Sequence, residues 1–262
     1  MDYLLTNKDS WNKKVDLHIA SEFYQQQKFL EGQSSLNSIE TELIGLVKGK
    51  SILHLQCHFG QDSLSLQRMG AQVTGVDFSE QAILRAREVN EKLGLSAQFV
   101  CCDLYELSRF LDQEFDLVFT SYGTIGWLPD IHEWARLVSK FTRQGGRFIL
   151  VEFHPLVWMF DDDLKYIKYS YFNREPIVEV ENGSYADTTA DIESTSITWN
   201  HSMSSVIDAL LQEGFSLQTL KEYDYSPYYC FANMIEFESG KYRIKHLEDK
   251  IPLVYALSAL KR

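Results

Sequence analysis

Several things are scarce in this chain, and each shortage removes a class of protein. Five prolines and 14 glycines in 262 residues are too few for a collagen-like or low-complexity chain. The four cysteines, Cys57, Cys101, Cys102 and Cys230, include an adjacent pair that cannot easily bridge to itself, and there is no C-x-x-C. They read as reduced, mostly buried thiols, not as a disulfide framework. No apolar run approaches the roughly 20 residues of a membrane span. The first residues, MDYLLTNKDSWNKKVDLH, mix charge with apolar side chains and lack a signal-peptide core. The expectation is a cytoplasmic protein with no membrane partner. Basic charge is also short: 25 Lys and Arg face 37 Asp and Glu, a net charge of −12. A nucleic-acid partner wants a basic face, so the balance argues against one.

What is present points to a globular α/β protein. Hydrophobic residues make up 45% of the chain, which excludes a disordered one. The length suits one domain over 1–262, with a helical cap at 1–48 and a lid at 155–200. Apolar residues Val15, Ile19 and Phe23 predict a helix over 15–30, and a short helix is expected at 38–47. Five apolar runs then follow, each bounded by turn residues: SILHLQC (51–57), QVTGVD (72–77), QFVCC (98–102), FDLVFTS (115–121) and GRFILVE (146–152). Helical segments separate most of them. One runs from Ser79, read as the N-cap, to Gly94. Another covers 130–142, where Asp130 and Glu133 resemble a capping box and Ile131, Trp134, Val138 and Phe141 share a face. Alternating strand and helix at this spacing means a mostly parallel sheet covered on both faces. After 152 the rhythm breaks into a stretch rich in aromatics and charge, with a turn at Gly183. A helix at 203–213 and strands at 215–223 and 253–260 close the chain, the two strands as an antiparallel pair at the sheet edge.

The chemistry gathers where the strands end. A strand, a tight turn and a helix start lie within SILHLQCHFGQDSLSL, so the loop Gln56–Gln61 places backbone N–H groups at the carboxyl edge of the sheet, where open α/β folds bind ligands. The second strand ends in Asp77, placed to accept hydrogen bonds from both hydroxyls of a ribose. The third ends in Asp103, able to accept from an adenine amino group. The fourth ends in Thr120-Ser121-Tyr122-Gly123.

These residues carry a resemblance. ILHLQCHFGQDSLSLQRMGAQVTGVDFSEQAI is similar to motifs I and II of class I S-adenosylmethionine-dependent methyltransferases. FDLVFTSYGTIGWLPDIHEWARLVSKFTRQGGRFILVEFHP resembles their fourth and fifth strands. LHLQCHFGQD and TSYG with WLPD resemble a bacterial subgroup of that family. The resemblance is strong over 15–155 and weaker to the C-terminus. It implies a Rossmann-like seven-stranded sheet with the last strand antiparallel, S-adenosylmethionine as cofactor, and a small-molecule acceptor of the methyl group. The implied cofactor-binding residues are Tyr24, Gln56, His58, Gly60, Gln61, Asp77, Phe78, Asp103, Leu104 and Ser121. On the acceptor side stand Tyr122, His154 and His201, with an imidazole suited to removing a proton from a hydroxyl or amine. Trp127 and the cluster Tyr223, Tyr225, Tyr228, Tyr229 and Phe231 read instead as packing.

The loop departs from the family pattern. His54 stands where an acid is usual, and Gln56 and His58 replace the first two glycines, leaving only Gly60. With no acid there, the carbonyl of Gln56 and the side chain of Gln61 are the substitutes for holding the methionine ammonium. Larger loop residues also leave less room for a pyrophosphate, which disfavours a dinucleotide dehydrogenase; the G-x-G-x-x-G fingerprint is missing too. A second alternative is a cofactor-binding sensor or assembly subunit without catalysis. No metal site is expected, because strand alternation places His54 and Cys57 on opposite faces.

Overall fold

A computed structural model describes residues 2–262. In chain order the elements are α1 (Tyr3–Ala20), α2 (Gln26–Leu30), α3 (Ser38–Ile44), β1 (Ser51–Leu55), α4 (Gln61–Arg68), β2 (Gln72–Asp77), α5 (Glu80–Lys92), β3 (Gln98–Cys101), β4 (Phe115–Ser121), α6 (Ile131–Phe141), β5 (Thr142–Phe153), β6 (Ile177–Asn182), β7 (Glu193–Thr198), α7 (Met203–Gln212), β8 (Phe215–Tyr223), β9 (Met234–Glu238), β10 (Lys241–Ile244) and β11 (Val254–Lys261). Seven strands form one sheet in the order β3-β2-β1-β4-β5-β11-β8. The first five pair in parallel, and β11 runs antiparallel to both β5 and β8. The chain order reverses between β1 and β4, the switch point where the ends of two neighbouring strands open a crevice.

Apolar spacing explains the two layers that sandwich the sheet. In α6, Ile131, Trp134, Val138 and Phe141 are all buried and pack on one face of the sheet with Phe148, Tyr255 and the α7 residues Val206 and Leu210. Ile44, Leu64 and Ile83 cover the other face against Ile52, Phe119 and Ile149. Local capping sets the helix starts: Ser79 Oγ accepts from Ala82 N–H, and Asp130 accepts from the amides of His132 and Glu133. The expected capping box at α6 is half formed, since Glu133 pairs with Arg136 instead.

The N-terminal helix differs most from its sequence reading. It begins at Tyr3, capped by Asp2, and ends at Ala20, so 15–30 is not one helix. The buried stripe of α1 is largely polar. Asn7, Ser10, Lys14 and His18 recur at helical spacing and are all buried, so a search for apolar periodicity passes over most of them. Two hairpins were also unforeseen. β6 and β7 pair antiparallel within the segment expected to be a lid, and β9 and β10 pair between the last two sheet strands.

Asn7 fastens α1 to β7 as a strand would. Its Nδ2 donates to Ile197 O and its Oδ1 accepts from Ile197 N–H, each at 2.8 Å. Asn7→Ala leaves both backbone groups of Ile197 without that partner, at about 1–3 kcal/mol for each buried group left unpaired. Urea unfolding should register the loss. A change within about 0.5 kcal/mol, the size of an ordinary surface substitution, would mean that α1 is held elsewhere.

Candidate active site

The loop after β1 keeps a backbone that its side chains disguise. Gln56, His58 and Gly60 have φ of 53°, 50° and 81°, so every second residue is left-handed, a conformation that glycine adopts freely and other residues at a cost of about 1–3 kcal/mol. The main chain is pinned from several directions. Cys57 N–H donates to Val76 O at 2.9 Å, Gly60 N–H to Cys57 O at 2.9 Å, and His58 N–H to Asp77 Oδ2 at 2.8 Å. The side chains at the two strained positions are anchored as well. Gln56 Nε2 donates to Thr124 O at 2.8 Å, and His58 Nε2 meets His18 Nδ1 at 2.9 Å. Only glycine fits at 60, where a Cβ would stand 2.8 Å from the Phe99 ring.

His18 passes the connection onward. Its Nε2 lies 2.6 Å from Ser184 Oγ, at the tip of the β6–β7 hairpin. The loop after β1, the N-terminal helix and the hairpin are thus joined through two imidazoles. Burial holds both neutral: the pKa of His18 is pushed down to about 3, and that of His58 well below the usual value. Tyr24 stacks on His18 at 5.3 Å between ring centroids and hydrogen-bonds the Tyr185 hydroxyl. Trp11 closes the same roof against His58 and Trp127, at 5.1 and 5.2 Å.

Under this roof lies a cavity of about 1890 Å³. Pockets for a single small ligand run to about 300–1,000 Å³, so two molecules fit side by side. Asp77 lines it, with Oδ1 taken by Ser79 N–H at 2.9 Å and Oδ2 by His58 N–H; burial raises its pKa to about 6. Asp62, in the first turn of α4, also lines the cavity. It accepts from Ser35 Oγ at 2.6 Å and Ser121 Oγ at 3.3 Å and makes no ion pair among the described residues. Behind it, Glu40 accepts from Tyr122 OH at 2.8 Å, its pKa raised to about 7 by burial and by Asp62. At the end of β5, Glu152 gathers the amides of Gly123, Thr124, Ile125 and Phe153 and so shapes the loop after β4.

Residues 52–146 match the family model of a methyltransferase domain. A methyltransferase of Synechocystis sp. is 31% identical over 49% of this chain and 59% of its own length. The ubiquinone biosynthesis O-methyltransferase of Coxiella burnetii is 29% identical over 53% of this chain and 55% of its own. The chain therefore spans little more than half of each. Among solved structures, an S-adenosylmethionine-dependent methyltransferase from Mesorhizobium loti shares the fold with a TM-score of 0.57 at 18% identity, over 88% of this chain and all of that one. The magnesium protoporphyrin IX methyltransferase of Synechocystis, solved with S-adenosylhomocysteine, has a TM-score of 0.51 at 15% identity, over 96% and 100%.

The methyltransferase-domain match covers part of this chain, and what the solved structures share with it is the fold. Of the residues singled out by sequence, Tyr24, Gln56, His58, Gly60, Gln61, Asp77, Phe78, Ser121, Tyr122 and His201 line the cavity. Three do not. Asp103 caps a short 3-10 helix by accepting from Tyr105 N–H at 3.2 Å, and it lies near Tyr3 of α1, whose pKa is raised by burial and then by Asp103. Leu104 is in the core. His154 accepts from Leu156 N–H through Nδ1, while its Nε2 lies 3.1 Å from Glu222 Oε1 at an angle that makes no hydrogen bond. Gln61 Nε2 is engaged with Tyr24 O and Gln26 Oε1. His54 has its Nδ1 at 2.8 Å from Ser63 Oγ and is kept neutral by burial, so the loop carries no charge at that position. Sequence reading missed His18, Glu40, Asp62 and Glu152. A charged residue inside the apolar run ILVEF marked Glu152; the other three belong to no pattern short of the fold.

The histidine link fixes the sign of a pH effect. Both imidazoles are neutral when the cap is closed and take up protons near pH 6.5 when it is open. The contribution of the link is complete above 6.5 and is lost as pH falls toward 3. Amide hydrogen exchange in α1, corrected for intrinsic rates, should quicken between about pH 6.5 and 5. His58→Gly should make it fast throughout. Protection that ignores both changes would show that the two imidazoles do not hold the cap.

Proposed function

We propose that this protein transfers a methyl group from S-adenosylmethionine to an oxygen or nitrogen of a small molecule. One observation carries the reading: a glycine-type backbone at 56, 58 and 60 ends on the Asp77 carboxylate at the wall of a cavity with room for cofactor and acceptor. The residues fit the cofactor. Each Asp77 oxygen holds one backbone donor and has a lone pair left for a ribose hydroxyl. Gln56 Oε1 is buried with no partner among the described residues, and because Nε2 is committed to a carbonyl, the free atom is an acceptor, as an ammonium requires. Asp62 is the anionic partner we assign to that ammonium in place of the usual loop acid. Phe78 lines the cavity beside Asp77.

The cofactor supplies a methyl group already activated on a sulfonium, so the protein mainly positions and desolvates. Tyr122 serves as a wall and does not act as a base, since its hydroxyl donates to Glu40 and burial beside Glu40 holds its proton. His201 donates from Nε2 to Leu128 O at 2.7 Å, which leaves Nδ1 unprotonated and able to accept a proton from an acceptor. His154, outside the cavity wall, has no role in this reading.

Calorimetry tests it. S-adenosylhomocysteine should bind and NAD should not; tighter binding of NAD would overturn the assignment. Asp62→Asn should weaken S-adenosylhomocysteine about tenfold or more, the size of a lost charge-assisted hydrogen bond. 5′-Methylthioadenosine, which has no amino-acid end, should be unaffected. Equal losses for both ligands would mean that Asp62 shapes the loop and does not hold the ammonium. Ionised Asp77 is the form that accepts from ribose, so affinity should be full above about pH 6 and fall below it, with that dependence removed in Asp77→Asn.

A further inference from the structure

Among the described residues, two more buried polar atoms on the cavity wall have no partner, and neither is used above. Asn200 is 4% exposed and Tyr255 is fully buried; both line the cavity, and Asn200 Oδ1 and Tyr255 OH make no hydrogen bond. Native proteins seldom leave such groups unsatisfied. The amide of Asn200 cannot be turned round. Its Nδ2 donates to Pro155 O at 3.0 Å, and a carbonyl only accepts, so the free atom is an acceptor. The Tyr255 hydroxyl keeps its proton, because burial and the nearby Glu152 carboxylate push its pKa up. Glu152 itself is committed to the backbone amides after β4.

A chain of contacts connects the two groups. Tyr255 stands opposite Glu152 on the neighbouring strand. The His154 ring meets Tyr255 edge-on at 6.0 Å, and Pro155, the next residue, holds Asn200. The charge of the surrounding wall is one-sided. Nine carboxylates line the cavity against two lysines and, among the described residues, no arginine. Both lysines are taken, Lys14 by Glu181 at 3.0 Å and Lys168 by Glu179 at 2.9 Å. A carboxylate or phosphate entering this cavity would meet no free cation and would have no proton to give Asn200.

We propose that Asn200 and Tyr255 form a polar subsite for the methyl acceptor, and that it takes a neutral group carrying an O–H or N–H. Calling the occupant the acceptor rests on the methyltransferase reading; the subsite itself rests on the cavity. Asn200 Oδ1 accepts from the incoming donor, and the Tyr255 hydroxyl donates to a lone pair on the same group.

Four probes on one ring separate the chemistry: phenol and aniline carry a donor, anisole only an ether oxygen, and benzoate a negative charge. Affinities are measured by ligand-observed NMR with and without saturating S-adenosylhomocysteine. Phenol and aniline should bind about tenfold more tightly than anisole and benzoate. The gap should close in Tyr255→Phe and Asn200→Leu while affinity for S-adenosylhomocysteine holds. Tyr255→Phe removes a hydroxyl with no partner in the fold, so its melting temperature should stay or rise, and that variant carries the test alone if Asn200→Leu does not fold. Anisole or benzoate binding as well as phenol, no binding of any probe, or a gap unchanged in the variants would overturn the subsite. So would a large fall in the melting temperature of Tyr255→Phe with the gap intact. Failure of the wild type to bind S-adenosylhomocysteine would instead sink the methyltransferase reading, and the cofactor-free titrations would still judge the subsite.

Discussion

The hydrogen bond from His58 N–H to Asp77 ties the loop after β1 to the end of β2, and the cavity wall at the carboxyl edge of the sheet is built around it. It holds the loop in its alternating left-handed turn and fixes the carboxylate that faces the cavity. A loop with three glycines would adopt that path at little cost in strain. Here two of the three positions carry side chains, and the strain is offset by what those side chains reach. Gln56 crosses to the loop after β4, and His58 reaches up to α1. Both substitutions turn a self-contained loop into a junction.

That junction makes the cap part of the site. The buried stripe of α1 is largely polar because it docks onto polar things: a strand edge through Asn7, a hairpin carboxylate through Lys14, and a second imidazole through His18. Such contacts are directional and give little net stability each, yet they fix where the helix sits. A purely apolar stripe would bind as well in several registers. The same contacts join cap, hairpin and loop, so the roof of the cavity and the geometry of the loop after β1 are physically coupled.

Inside the cavity the electrostatics are one-sided. Carboxylates outnumber cations and both lysines are paired, while His18 and His58 are held neutral by burial. An environment of this kind favours a cationic donor and disfavours an anionic partner without any single contact deciding the matter. Glu152 is the exception that builds structure, its charge spread over backbone amides at the end of β5.

Strand and helix order, the carboxyl-edge loop and Asp77 were all legible in the sequence, because each depends on local rules: alternation, capping, and turns at strand ends. QVTGVD and FDLVFTS became β2 and β4 with the boundaries read from their patterns. The start of α1 was not legible, since a polar buried stripe has no apolar period. The hairpin β6–β7 was hidden among aromatics and charges, and its β7 strand docks on α1 through Asn7. Asp62, Glu40 and His18 are ordinary polar residues until the fold brings segments far apart in sequence to one cavity. The unpaired atoms of Asn200 and Tyr255 are likewise invisible in sequence, because satisfaction is a property of neighbours in space. The amino-acid order alone therefore determined the sheet and where its ligand edge lies. Only the tertiary structure decided what faces that edge, since every one of those contacts closes across long stretches of chain.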